Sequence, residues 1–157
     1  MIIYPSITTP GLAERAVEAD SQLQRWSQLL DTQRTLGSAV TAIGDRLRQL
    51  DSNPATRRRA LDTRHALQEL QSEVSSLEET KDDLLEHADF VVSLLKPNSK
   101  EAAAETEKNV KELVEAYEKL RQTVAARLAE IDEIVSEFDR VSEKIERLRQ
   151  EIEVYVA

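Results

Sequence analysis

Apolar residues recur in alternating steps of three and four along three stretches of the chain, which is the spacing of one face of an α-helix. The stretches cover about residues 11–51, 55–96 and 100–156. They are separated by the sequences DSNP at 51–54 and KPNS at 96–99. Proline disfavours helical geometry in the residue before it, and Asn and Ser suit turns and helix caps. The pattern therefore predicts three helices joined by tight reversals.

The lengths of these helices indicate how they pack. At 1.5 Å per residue the first two would each span about 60 Å and the third about 85 Å, and short connections make neighbouring helices antiparallel. We therefore predict an all-α fold, a single elongated antiparallel three-helix coiled-coil bundle with an extended third helix. The bundle would occupy residues 11–141, with 100–141 as the bundled part of the third helix. Residues 1–10 would be an N-terminal extension and 142–157 a helical continuation.

The predicted core follows the apolar seam of each helix. In the first helix the seam begins with Leu12, Ala16, Ala19, Leu23, Trp26 and Leu30. The adjacent leucines at 29 and 30 then shift it by one position. Large side chains at seam positions bury the most surface, so five of them are the predicted core anchors: Trp26, Leu77, Tyr117, Leu120 and Phe138.

Two cations interrupt otherwise apolar seams, Lys81 in the second helix and Arg127 in the third. In one interpretation their methylenes lie along the seam and the charges reach its edge. In that case replacement by Leu or Met would raise the melting temperature. In the alternative, they meet carboxylates in a polar layer that fixes the register of the helices.

The end of the third helix carries the candidate interface. If about 15 residues from near Ser142 project beyond the first reversal, their seam has no partner helix. That seam consists of Ile145, Leu148, Ile152 and Tyr155. We expect these side chains to bind another helical segment, either a following module or a second copy of the chain.

Composition narrows the function classes. The 157 residues are 40% hydrophobic, 32% charged and 4% aromatic, as in long helices and coiled coils, and they include no Cys. His65 and His87 lack metal-ligand spacing, and no carboxylate pair suits general acid–base chemistry, so we predict no enzyme activity, metal or cofactor. Residues 1–65 contain nine Arg and seven acidic residues, whereas 66–157 contain 12 basic and 23 acidic ones. The net charge of −9 argues against a nucleic-acid partner.

Three short segments resemble the spectrin-repeat family. Residues 65–70 (HALQEL) are similar to the His and leucine ladder of its second helix, and 24–30 (QRWSQLL) resemble its Trp-bearing first helix. In the third helix, 117–120 (YEKL) followed by Arg127 and Leu128 match a pattern that usually begins with Trp. The likeness covers roughly residues 20–140, and it departs from the family in the Tyr at 117 and in a longer interval from Trp26 to His65.

The resemblance implies a module of a giant cytoskeletal linker that acts as a mechanical spacer and partner-binding rod. The expected partners are adjacent repeats and other cytoskeletal, actin-binding or membrane-associated proteins. The expected location is the cytoplasm, at the cytoskeleton, the nuclear envelope or the cell cortex. Two alternatives remain open. One is a self-associating coiled-coil scaffold that forms homodimers through its C-terminal helix, and the other is a crescent-shaped membrane-binding dimer, which needs a basic concave face.

Overall fold

The computed structural model describes the backbone of residues 3–156 and the side chains of residues 13–156. It contains four α-helices: α1 (Ile3–Gln49), α2 (Arg57–Ser76), α3 (Glu78–Leu95) and α4 (Lys100–Val156). Residues 3–156 include no β-strand. The predicted all-α class is therefore confirmed.

The helix bounds differ from the predicted ones in two places. The helix α1 begins at Ile3 rather than near residue 11, while residues 1 and 2 lie outside the described part. The predicted second helix is divided at Leu77, between α2 and α3. The helix α4 continues without interruption to Val156, and residue 157 is outside the described part.

Hydroxyl side chains cap the helices that follow the two reversals. The hydroxyl of Thr56 accepts a hydrogen bond of 3.2 Å from the backbone N–H of Arg59 at the start of α2. The hydroxyl of Ser99 accepts one of the same length, 3.2 Å, from Ala102 at the start of α4. Each bond satisfies an N–H group that has no partner within its own helix. These caps explain why both helices begin where they do.

The chain forms two compact units, which are described separately. The first unit comprises Met1–Ala39 and Leu77–Ala116, and the second comprises Val40–Ser76 and Tyr117–Ala157. Each unit therefore combines a part of α1, one of the two middle helices and a part of α4. The arrangement of residues 11–141 as one elongated bundle stays a prediction.

In the first unit, α1, α3 and α4 each contribute one apolar face to a shared core. Leu36 of α1 and Leu84 of α3 are completely buried. The other buried apolar residues of this unit are Leu29, Ala88, Val91, Val92, Ala103 and Val110. They follow the spacing of three and four that places side chains on one face of a helix. Burial of these faces against one another is the main stabilising contribution to the unit.

The second unit is built in the same way from α1, α2 and α4. Tyr117 is its largest completely buried side chain. The other buried apolar residues are Ile43, Leu47, Ala60, Leu67, Leu70, Val74, Leu120, Val124, Ile131 and Val135. Buried positions end at Val135, and every residue from Val141 to Val156 is exposed. The last four turns of α4 therefore contribute nothing to this core.

Candidate partner interface

The predicted core anchors differ in burial. Tyr117 and Leu120 are buried in the second unit. Phe138, near the end of the same core, and Leu77, between α2 and α3, are half-buried. Trp26 is not part of the core, since 39% of its surface is exposed.

The start of the predicted seam in α1, before Trp26, is also exposed rather than buried. All residues from 13 to 24 are exposed, including Ala16, Ala19 and Leu23, while Leu12 lies outside the described side chains. The buried face of α1 begins at Leu29 instead.

The length of α3 explains where this buried face begins. The guanidinium of Arg25 lies 4.8 Å from the ring centre of Phe90. Since α3 ends at Leu95, only about one and a half turns further on, earlier residues of α1 have few neighbours.

The hydroxyl of Tyr117 explains how the break between α2 and α3 is stabilised. It donates a buried hydrogen bond of 3.1 Å to the carbonyl oxygen of Val74, in the last turn of α2. In the same turn, the hydroxyl of Ser76 donates to the carbonyl oxygen of Glu73 at 2.6 Å. The last carbonyls of a helix lack partners within it, and these side chains supply them. The apolar pattern predicts Tyr117 as a core anchor, but it contains no signal for the hydrogen bond that its hydroxyl donates.

Lys81 lies beside two carboxylates of its own helix. Its ammonium nitrogen is 2.8 Å from Glu78 Oε1 and 3.3 Å from Asp82 Oδ1, and its side chain is 13% exposed. The hydrogen bond to Glu78 raises the pKa of Lys81, the contact with Asp82 adds to this, and burial opposes it. The methylenes are covered and the charge meets carboxylates, but both carboxylates belong to α3 itself. A role of Lys81 in fixing the register between helices stays a prediction.

Arg127 has a role that neither sequence interpretation anticipated. Its guanidinium donates hydrogen bonds to main-chain carbonyl oxygens at the end of α1, from Nη1 to Leu47 at 2.6 Å and from Nη2 to Leu50 at 3.2 Å. The C-terminus of a helix carries partial negative charge and unsatisfied carbonyl groups, so a cation there is stabilising. Arg127 thus joins α4 to the last turn of α1. The predicted partners were carboxylates, whereas those observed are backbone groups that sequence patterns do not reveal.

Arginines at the start of α2 pair with carboxylates on α4. Arg57 Nε lies 2.6 Å from Asp139 Oδ1, and two turns further on Arg64 lies 3.7 Å from Asp132. Both pairs are about half exposed, so each contributes little, typically about 0–1 kcal/mol. The pair with Asp139 also has an electrostatic effect on α2. The carboxylate of Asp139 offsets the charge of Arg57, which would otherwise oppose the helix dipole.

The candidate interface residues all lie on the exposed end of α4. Val141, Ile145, Leu148, Ile152 and Tyr155 follow one another in steps of four and three, and 53% to 92% of their surface is accessible. Side chains with this spacing share one face of a helix. They form what we call the C-terminal stripe. Charged residues border this exposed apolar face, which is the surface predicted as a partner interface.

A hollow of about 290 Å³ adjoins the base of the C-terminal stripe. Asn53 and Pro54 of the first reversal form one side of it, and Phe138 and Val141 of α4 form the other. The walls are mainly apolar, and Phe138 is half-buried within them. The stripe therefore ends in a recess that has room for an aromatic side chain.

A second apolar hollow lies in the first unit. Its volume is about 590 Å³, and it is bordered by Val17 on the exposed part of α1 and by Phe90 and Leu94 of α3. The acidic residues Glu14 and Glu18 also line it. It results from the lack of packing of α1 before Arg25.

No group of three or more His, Asp or Glu side chains that could hold a metal ion is found among residues 13–156. Within the described helices, none is both long and apolar enough to cross a membrane. Comparison of the chain with protein-family models, curated proteins and solved structures finds no match.

Proposed function

We propose that the chain is a structural interaction module that holds other proteins at a fixed spacing and binds helical partners through the end of α4. In this proposal its two units form one elongated three-helix bundle of the spectrin-repeat kind. The module has no enzyme activity and belongs to a cytoskeletal linker in the cytoplasm, at the nuclear envelope or the cell cortex. Its partners are neighbouring repeats and other helical proteins.

The observation that carries this proposal is the C-terminal stripe. An isolated helix of this length is marginally stable in water, and most helical stability in proteins comes from packing of an apolar face. Each large apolar side chain of the stripe would contribute about 1.5–3 kcal/mol on full burial. A regular apolar repeat kept over four turns without a partner in the described part of the chain is therefore expected to bind a second helix.

The same observation supports one further candidate, a self-associating coiled-coil scaffold. The stripe continues the steps of three and four that two identical helices need to pair. In that case the partner of α4 is α4 of a second copy. The spacer and the scaffold share the apolar surface and differ in what covers it.

Small-angle X-ray scattering tests the proposed elongated bundle. The variant Ile145→Glu with Ile152→Glu removes the apolar stripe, so the measurement reports the monomer. We expect a maximum dimension of at least about 85 Å, which is the length of the 57-residue helix α4 at 1.5 Å per residue, and a cross-section that is constant along most of that length. The control Gln150→Glu changes a residue on the face of α4 opposite the stripe. A scattering curve typical of a globule, as expected if the two units packed side by side, would contradict the spacer proposal.

A further inference from the structure

We infer that the C-terminal stripe binds the same stripe of a second copy, with the two α4 helices antiparallel and Ile145 opposite Leu148. This inference rests on the proposed function, since it names the partner of the same surface. It is carried by the positions of the charges beside the stripe.

The stripe has the heptad pattern of a coiled coil. Ile145 and Ile152 occupy the a positions, and Leu148 and Tyr155 occupy the d positions. The residues that flank such a seam are those at positions e and g. Here the charged ones are Lys144 and Glu151 at g and Arg149 at e. These three side chains decide the orientation, because facing charges across the seam attract or repel.

A parallel pair of helices brings like charges together. In that geometry each g residue faces the e residue five positions further along the other helix, so Lys144 of one copy faces Arg149 of the other, twice in the dimer. The remaining facing pairs contain at most one charged residue. The parallel arrangement therefore has repulsion and no compensating attraction.

An antiparallel pair with Ile145 opposite Leu148 brings opposite charges together. Each g residue then faces a g residue of the other helix, which places Lys144 against Glu151 twice. Arg149 faces the neutral Ser142. The charges also select this register. A shift of one heptad in one direction places Glu151 against Glu151 and Arg149 against Arg149, and a shift in the other direction places Lys144 against Lys144.

The two charges that form the facing pairs, Lys144 and Glu151, are not engaged within the described part of the chain. Arg147 and Arg149 approach Glu143 and Glu146 on their own helix, at 3.8 and 3.9 Å. Lys144 and Glu151 form no ion pair with any residue in the described part of the chain, and both are exposed. They are therefore available to a partner.

The hollow at the base of the stripe fits the same register. With Ile145 opposite Leu148, Tyr155 of one copy lies opposite Phe138 of the other, next to the recess formed by Pro54, Phe138 and Val141. The ring of Tyr155 is almost fully exposed in the monomer, at 92%. In the dimer it would pack against Phe138, and aromatic pairs of this kind add to the free energy of burial.

Sedimentation velocity of the whole chain and its charge variants, across micromolar to millimolar concentrations, tests this inference. The unmodified chain should form dimers and no larger species. Lys144→Glu and Glu151→Lys should each weaken dimerisation about tenfold or more, since two attractive pairs become repulsive. Added salt should reduce the difference in dimer affinity between these variants and the unmodified chain, because it screens the charges.

A mixture of the two variants provides the matched rescue. At equimolar concentrations Lys144→Glu and Glu151→Lys should restore dimers, because in the mixed dimer both facing pairs of g residues again join opposite charges. The control Gln150→Lys, outside the a, d, e and g positions, should leave the dimer unchanged.

Three outcomes would overturn the inference. Stronger dimerisation of Lys144→Glu would show a parallel pair, in which that change removes repulsion. A chain that remains monomeric throughout the concentration range would show that the second copy is not the partner. Open-ended polymers would show that the stripe binds a different surface of the chain. Since the scattering measurement uses a variant that cannot associate, each of these outcomes leaves the test of the elongated bundle intact.

Discussion

The hydroxyl group of Tyr117 in α4 donates a hydrogen bond to the carbonyl oxygen of Val74 in α2. This bond crosses the core of the second unit at the point where α2 ends. It gives a buried carbonyl group a partner that the helix itself does not provide. A tyrosine is therefore suited to this position in a way that an entirely apolar side chain is not.

Replacing Tyr117 with Phe should destabilise the chain by about 1–2 kcal/mol, because the carbonyl group of Val74 would be left buried without a donor. Urea denaturation followed by circular dichroism measures the change. The matched control is Tyr155→Phe, which removes the same hydroxyl from an exposed ring and should change stability by less than about 0.5 kcal/mol. Equal effects of the two changes would show that the hydrogen bond to Val74 contributes nothing.

Arg127→Met should destabilise the chain by about 1–3 kcal/mol, since the carbonyl groups of Leu47 and Leu50 would lose a charged donor at the end of α1. Arg127→Lys should recover only part of the loss, because an ammonium group lacks the planar fork of guanidinium. The exposed Arg121 of the same helix serves as the control, and Arg121→Met should have little effect. A higher melting temperature for Arg127→Met would contradict this role and favour a side chain that only reaches the edge of the seam.

The register of α1 is tested by two leucines of that helix. Leu36 is completely buried and Leu23 is 66% exposed. Leu36→Ala should therefore cost about 2–5 kcal/mol through lost burial and a residual cavity, and Leu23→Ala less than about 0.5 kcal/mol. Both values come from the midpoint and slope of chemical denaturation. Comparable losses for the two variants would mean that the seam of α1 already begins at Leu23.

The contribution of Lys81 to the stability of the chain should change with pH under alkaline conditions, where its ammonium group loses its proton. Its pKa is raised above the ordinary value of 10.5, chiefly by the hydrogen bond to Glu78. A raised folded-state pKa means that the stabilisation is fully present below the unfolded-state value and is lost as the pH rises through the folded-state value. Denaturation curves of the unmodified chain and Lys81→Met should therefore differ by a constant amount from neutral pH to about pH 10. Above this range the difference should shift in favour of the variant. A shift that begins near neutral pH would show that the pKa of Lys81 is not raised by Glu78.

The periodic apolar pattern was sufficient to predict an all-helical chain and the two reversals, because helix spacing and proline act locally. It was not sufficient to place Trp26, since the end of the seam in α1 depends on where α3 ends. It also did not show the break at Leu77, where the apolar spacing continues unchanged and the distinguishing feature is a hydrogen bond from another helix. The partners of Arg127 are backbone carbonyl groups, which have no signature in side-chain patterns.

Among the described residues the C-terminal stripe of α4 has no partner, and we propose that it gains one by association. Hydrogen exchange of backbone amides in residues 142–156, compared with residues 117–135 of the same helix, tests it most directly. In dilute solution the amides of 142–156 should be weakly protected, because an unpacked helical end opens readily. Their protection should rise with protein concentration, while that of the buried part of α4 should stay constant. Strong protection of residues 142–156 that does not change with concentration would show that this segment already packs on its own chain, and it would contradict the account.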